Sequence, residues 1–228
     1  MYREIIDAAL ETERQRRHHG MLLQYVETID AGLQNNWHGL LQQMSARVPS
    51  TLQIRVRPQT LSIELEDLLA EWRELWNSDW FVPARDRRVT SEWTLQDVIA
   101  HVASWSMEMR IQAEMVAKGL EVPYRILFEK SGGPRSWNAE QVELRRGQAL
   151  KTLTSEVEGE TARLQNLLFE VERPILFVER PIGIAFAAAA GEPWIKSIAG
   201  IVEMRCFHDR WHTHRIREWK RENLAGES

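Results

Sequence analysis

The chain has 228 residues with a net charge of −4, long enough to bury a substantial core but without the basic excess that nucleic-acid binders usually carry. Its single cysteine, Cys206, excludes an internal disulfide and fits a reducing compartment. No apolar run reaches the ~20 residues of a membrane span, and the opening MYREIIDAALETER is too charged for a signal peptide, so a soluble, cytoplasmic protein is expected, with neither a membrane nor a nucleic acid as partner.

In chain order, residues 3–17 form a short amphipathic stretch (Ile6, Ala9, Leu10), with Arg16, Arg17, His18 and His19 at its cation-favouring end. His18 and His19 are adjacent and project ~100° apart on a helix, which argues against a shared metal. Leu22, Val26, Ile29, Leu33, Trp37, Leu40, Leu41 and Met44 make the apolar stripe of a second helix, ended by Pro49. An extended linker bounded by Pro49 and Pro58 follows. Residues 1–58 are therefore expected to be a helical hairpin and linker, serving as a cover or as a homodimer contact, ahead of a main domain at 59–222 and a tail at 223–228.

Leu61, Leu65, Leu68, Leu69, Trp72, Leu75 and Trp76 mark the first helix of that domain, which stops before Pro83. The next helix has a sharp start: Thr94 is an N-cap candidate with Asp97 at the third position, and Trp93 and Val98 occupy hydrophobic-staple positions. Val98, His101, Val102, Trp105 and Met109 then share one inward face. After a loop holding Gly119, Pro123, Gly132, Gly133 and Pro134, a third helix is expected from Asn138 to about Glu170. VERPI occurs at 171–175 and again at 178–182, and its prolines predict a connecting loop with a short strand pair. GIAFAAAAG (183–191) reads either as a lid or as poorly ordered chain. The last helix is expected from about Pro193 to residue 221, with Ile198, Ile201, Arg205, His208, His212, Ile216 and Trp219 along one face.

Three histidines carry the chemical information. His208 and His212 are four apart on a helix, separated by ~40° of rotation and ~6 Å of rise, so their imidazoles can close on one metal ion. His101 lies on the other helix best placed to supply a third ligand. Three neutral imidazoles leave a coordination position open, as in a reactive rather than a structural site, and imidazole ligation suits zinc, nickel, iron or copper. In the competing reading, His208 and His212 bond to Asp97, Asp209 or loop carbonyls in a metal-free polar pocket. Asp97, one turn before His101, is a candidate to orient it or, equally, a helix cap, and Trp105 is a candidate pocket wall. Asp209 and Glu108 read as surface or capping residues. HDRWH matches the spacing of the HExxH protease motif but has Asp209 for Glu and no downstream ligand able to reach the metal. His214 projects to another face, and Cys206, ~200° around the helix from His208, reads as a buried structural residue.

Three segments together resemble the DinB/YfiT-like superfamily, related to the amino-terminal domain of mycothiol-dependent maleylpyruvate isomerase. WTLQDVIAHVASW is similar to that family's second helix, SWNAEQVELRR to the start of its third, and HDRWHTHRI to its HxxxH fourth helix, over about residues 61–221. The resemblance implies an all-α, four-helix bundle, here with an added N-terminal hairpin, and a divalent metal (zinc or nickel) on His101, His208 and His212. It further implies a thiol-dependent transferase, in which a metal-bound thiolate from a low-molecular-weight thiol attacks a small electrophile. A metal-bound-water hydrolase and a non-enzymatic sequestering protein with a structural metal are the alternatives. Arg145 and Arg205, on helices flanking the expected pocket, are candidates for holding the thiol's carboxylates.

Overall fold

The computed structural model describes residues 57–120, 134–178, 180–184 and 193–224. The expected hairpin at 1–47 and most of GIAFAAAAG lie outside the described residues. Helix α1 (Pro58–Trp76) begins with proline in its first turn, where the missing N–H is no loss, and buries Leu61, Leu65, Leu68, Leu69, Trp72, Leu75 and Trp76. A short helix, α2 (Phe81–Ala84), then seats Phe81 in the core. Helix α3 (Leu95–Ala117) starts at a complete capping box: the Asp97 amide donates to the Thr94 hydroxyl (3.1 Å) and the Thr94 amide donates to the Asp97 carboxylate (3.0 Å).

The continuous helix expected over 138–170 is two helices, α4 (Pro134–Arg145) and α5 (Leu150–Glu170). Gly147 breaks it, with φ +85° in the left-handed region that ends helices and favours glycine. Asn138 is not the cap; it lies inside α4, where its side-chain oxygen accepts from Trp105 Nε1 at 2.9 Å.

The two copies of VERPI fold differently. The first runs into a 3-10 turn (Arg173–Phe177), while the second enters strand β1 (Arg180–Ile184). β1 pairs antiparallel with β2 (Pro193–Lys196), in the register Arg180 to Lys196 and Ile184 to Pro193. Pro193 thus opens a strand rather than the last helix. Helix α6 (Ile198–Leu224) starts five residues later than Pro193, where the Ser197 hydroxyl accepts from the Gly200 amide at 3.1 Å and caps it.

The fold is all-α apart from this ribbon: α1, α3, α5 and α6 form a closed four-helix bundle, with α1 and α3 each packed against both α5 and α6, and α4 laid against α3. Leu65, Trp72, Ile99, Leu153, Leu164 and Ile201 are fully buried between the helices. Each such aliphatic side chain contributes about 1.5–3 kcal/mol of burial free energy. Ion pairs run along the seams: Arg210 of α6 to Glu71 (2.7 Å) and Glu64 (3.2 Å) of α1, and Arg110 of α3 to Glu160 of α5 (2.6 Å). These pairs tie α6 to α1 and α3 to α5, while α3 and α6, the two helices that carry the histidines, pack directly against each other. No described helix is long and apolar enough to cross a membrane.

Candidate metal centre

His101 projects from the buried face of α3, two turns after the Thr94 cap, and His208 and His212 from the buried face of α6. One nitrogen of each of the three rings lies within 4.8 Å of the others. His101 Nε2 and His208 Nε2 are 3.0 Å apart, and the ring centroids of His208 and His212 are 4.7 Å apart. All three residues are almost entirely buried, at 4–5% exposure.

That burial sets their protonation. Desolvation pushes the His101 imidazole well below the ordinary histidine value, and neighbouring His208 pushes it further. Desolvation likewise depresses His212, helped by His208 and His101 and opposed by Asp209. Neutral rings keep their lone pairs, the form in which histidine ligates metals. His212 Nε2 and His101 Nδ1 are buried and have no hydrogen-bond partner among the described residues. The three histidines are positioned to bind a metal ion, and an all-imidazole donor set with orphaned nitrogens fits a divalent transition metal. Among the described residues, no carboxylate or thiol belongs to this cluster.

Asp97 does not orient His101: its carboxylate is used by the capping box, and His101 Nδ1 has no partner. Asp209, expected at the surface or in a cap, is fully buried and accepts from His208 Nδ1 at 2.8 Å and from Arg205 Nε at 2.6 Å. Burial alone raises its carboxyl, but the Arg205 guanidinium and the His208 hydrogen bond outweigh that and hold it below the usual carboxylate range. Its adjacency to His208 and its i, i+4 spacing from Arg205 were the sequence signals for this role.

The indoles form a collar around the cluster. Trp105 packs against both His208 (5.8 Å between centroids) and His101 (6.4 Å), and is held in place by Trp137 and Asn138. Trp93, read from sequence only as a staple, packs at a tilt against His101 with ring centroids 4.7 Å apart, and Trp211 meets His212 edge-on at 4.6 Å. Arg145 is bound by Glu156 (2.6 Å) and Gln141 (3.1 Å) on its own side of α4. Arg205 is fully buried, and its two terminal nitrogens have no partner among the described residues. His214 pairs with Glu218 at 3.1 Å, outside the cluster. Cys206 is buried against the Glu64 carbonyl, and desolvation pushes its thiol up to about 12.

The arrangement is similar to known structures. The crystal structure of the mycothiol-dependent maleylpyruvate isomerase matches with a TM-score of 0.55 and 15% identity, over 72% of this chain and 62% of that one. The chain has a DinB-like fold. A histidine-to-alanine variant of the same isomerase matches at a TM-score of 0.53. A Streptococcus pneumoniae protein solved by a structural-genomics consortium matches at 0.51, with 16% identity over 73% of this chain and 91% of that one. This DinB-like chain spans 62% of the isomerase's length. No family model matches the sequence, and no curated protein matches it at the level of sequence.

Proposed function

We propose that this DinB-like protein is a metal-dependent enzyme that transfers a low-molecular-weight thiol to a small electrophile. The observation that carries the reading is the convergence of three buried imidazoles, two of them held neutral by their surroundings, with no carboxylate in the set. His101, His208 and His212 would hold the ion, zinc or nickel, through their imidazole nitrogens. When bound, the ion supplies Lewis acidity that favours a thiolate over a thiol at neutral pH.

The chain's own residues do the rest. Trp93, Trp105 and Trp211 limit water around the three rings and offer an apolar wall to the electrophile. The protein's own thiol is no substitute for an added one, because Cys206 is buried with its proton held tightly. Likeness in fold to a mycothiol-dependent isomerase supports the thiol. Of the two arginines considered for the thiol's carboxylates, Arg145 is engaged by Glu156, and the Nε of Arg205 is committed to Asp209.

Calorimetric titration of mycothiol, bacillithiol and glutathione into zinc-loaded and metal-free protein tests the proposal, followed by conjugation assays against a panel of electrophiles. Binding of one thiol to the loaded form alone, abolished by His212→Ala, is the expected result. Capture of an electrophile with no thiol requirement would replace the transferase with a sequestering protein.

A further inference from the structure

We propose that Arg205 and Asp209 are positioning residues that hold His208 as the Nδ1–H tautomer, so that its Nε2 lone pair faces His101 and the metal position. The inference rests on the metal-dependent reading for its purpose, though not for its geometry.

Three buried side chains form a line. Arg205 Nε donates to Asp209 Oδ2 at 2.6 Å, Asp209 Oδ1 lies 2.8 Å from His208 Nδ1, and His208 Nε2 lies 3.0 Å from His101 Nε2. Arg205 and Asp209 are both wholly buried. An ionised carboxylate only accepts hydrogen bonds, so the nitrogen facing it must carry the proton. A neutral imidazole has one N–H, and with that proton on Nδ1, His208 Nε2 is left as an acceptor. His208 therefore enters the centre with its ring orientation and its tautomer both set.

The other rings differ. Among the described residues His101 Nδ1 has no partner, and none of them fixes its tautomer from the far side. In the metal-free chain His101 Nε2–H is the donor to His208 Nε2, and His101 must move that proton to Nδ1 before it can ligate through Nε2. His208 needs no such change and is the anchor of the set.

Arg205 has a distinct task. Asp209 lies wholly inside the bundle, where a buried polar group needs partners for both of its oxygens. The guanidinium four residues earlier balances its charge and occupies the oxygen that His208 does not use. The pair adds no net charge, so the orienting carboxylate leaves the charge of the centre unchanged.

The test is nitrogen-detected NMR of histidine-labelled, metal-free protein, together with competitive zinc titration of variants. Wild-type His208 is expected as the Nδ1–H tautomer. Asp209→Ala is expected to yield a tautomer mixture and to weaken zinc binding about 10–100-fold. Asp209→Asn keeps an acceptor oxygen and is expected to restore the tautomer and part of the affinity. Should Asp209→Ala fail to fold, Arg205→Met combined with Asp209→Leu removes both charges together and is expected to show the same loss. A wild-type His208 protonated on Nε2, or unchanged zinc affinity in a folded variant lacking Asp209, overturns the proposal. Failure of the wild type to bind any metal would instead sink the metalloenzyme reading and leave the tautomer result standing.

Discussion

His101 Nε2 and His208 Nε2 lie 3.0 Å apart, although 107 positions separate the residues in sequence. The contact exists because α3 and α6 pack face to face inside the bundle, each presenting its histidines from a buried stripe. Placing imidazoles in a core costs solvation, and at His101 and His212 the cost appears as depressed proton affinity. A metal ion would recover what the desolvated lone pairs have lost.

Acid should therefore destabilise the metal-free fold. His101 and His212 have folded-state values below the unfolded one, so as pH falls through ~6.5 the unfolded chain takes up protons that the folded chain refuses. Stability is full above that value and declines below it, by up to about 1.4 kcal/mol per pH unit for each histidine. Asp209 is shifted in the same sense, but its contribution is lost only below the ordinary carboxylate value, so it adds no slope in this window. Urea unfolding of metal-free protein at pH 7.5 and 5.5 checks this. Equal stability at both would contradict it.

The capping box and the histidine cluster should separate cleanly. Thr94→Ala and Asp97→Ala each remove half of the box and are expected to cost about 1 kcal/mol of stability. Zinc affinity should be unaffected, since Asp97 does not bond to His101. Thermal unfolding beside zinc titration decides it; weaker zinc binding in a folded Asp97→Ala protein would restore Asp97 to the centre.

Much of this was legible in sequence. The inward position of His101 follows from its 3.6-residue phase with Val98, Val102 and Trp105, and the pairing of His208 with His212 from their spacing of four. Asp209 was legible only in part: the metal-free reading offered it as a partner for His208 or His212, but it also read as a surface or capping residue, because an acidic residue beside a histidine reads as solvent-facing unless its partner arginine is known to share the core. Pro193 is acceptable both in a helix's first turn and at a strand's start, and pairing with β1, a non-local event, decides between them. The two VERPI copies make the same case: one runs into a 3-10 turn and the other into a strand that pairs with β2.

Two glycine substitutions should have opposite signs. Gly147→Ala places a side chain at φ +85° with open space around it, so backbone strain alone should lower Tm, by about 2–4 °C for ~1 kcal/mol. Gly159→Ala, within α5 and also with room for a methyl, should stabilise by about 0.5–1 kcal/mol. A higher Tm for Gly147→Ala would mean that the helix continues through that position.

Cys206 should be inert in the folded protein. With the thiol pushed up to about 12 by burial, little thiolate exists at pH 8, and the sulfur is shielded beneath Glu64. A thiol-reactive chromogenic disulfide should label it only on unfolding. Stoichiometric reaction of native protein within minutes would show that the α1–α6 seam opens readily.

The most direct measurement is metal content by elemental mass spectrometry, on protein purified without a histidine tag, for the wild type and His212→Ala. About one zinc or nickel per wild-type chain, and its loss in a folded His212→Ala protein, is the predicted result. A wild type that is metal-free and takes up neither added zinc nor added nickel would contradict the account and leave the three histidines as a buried polar cluster in the core.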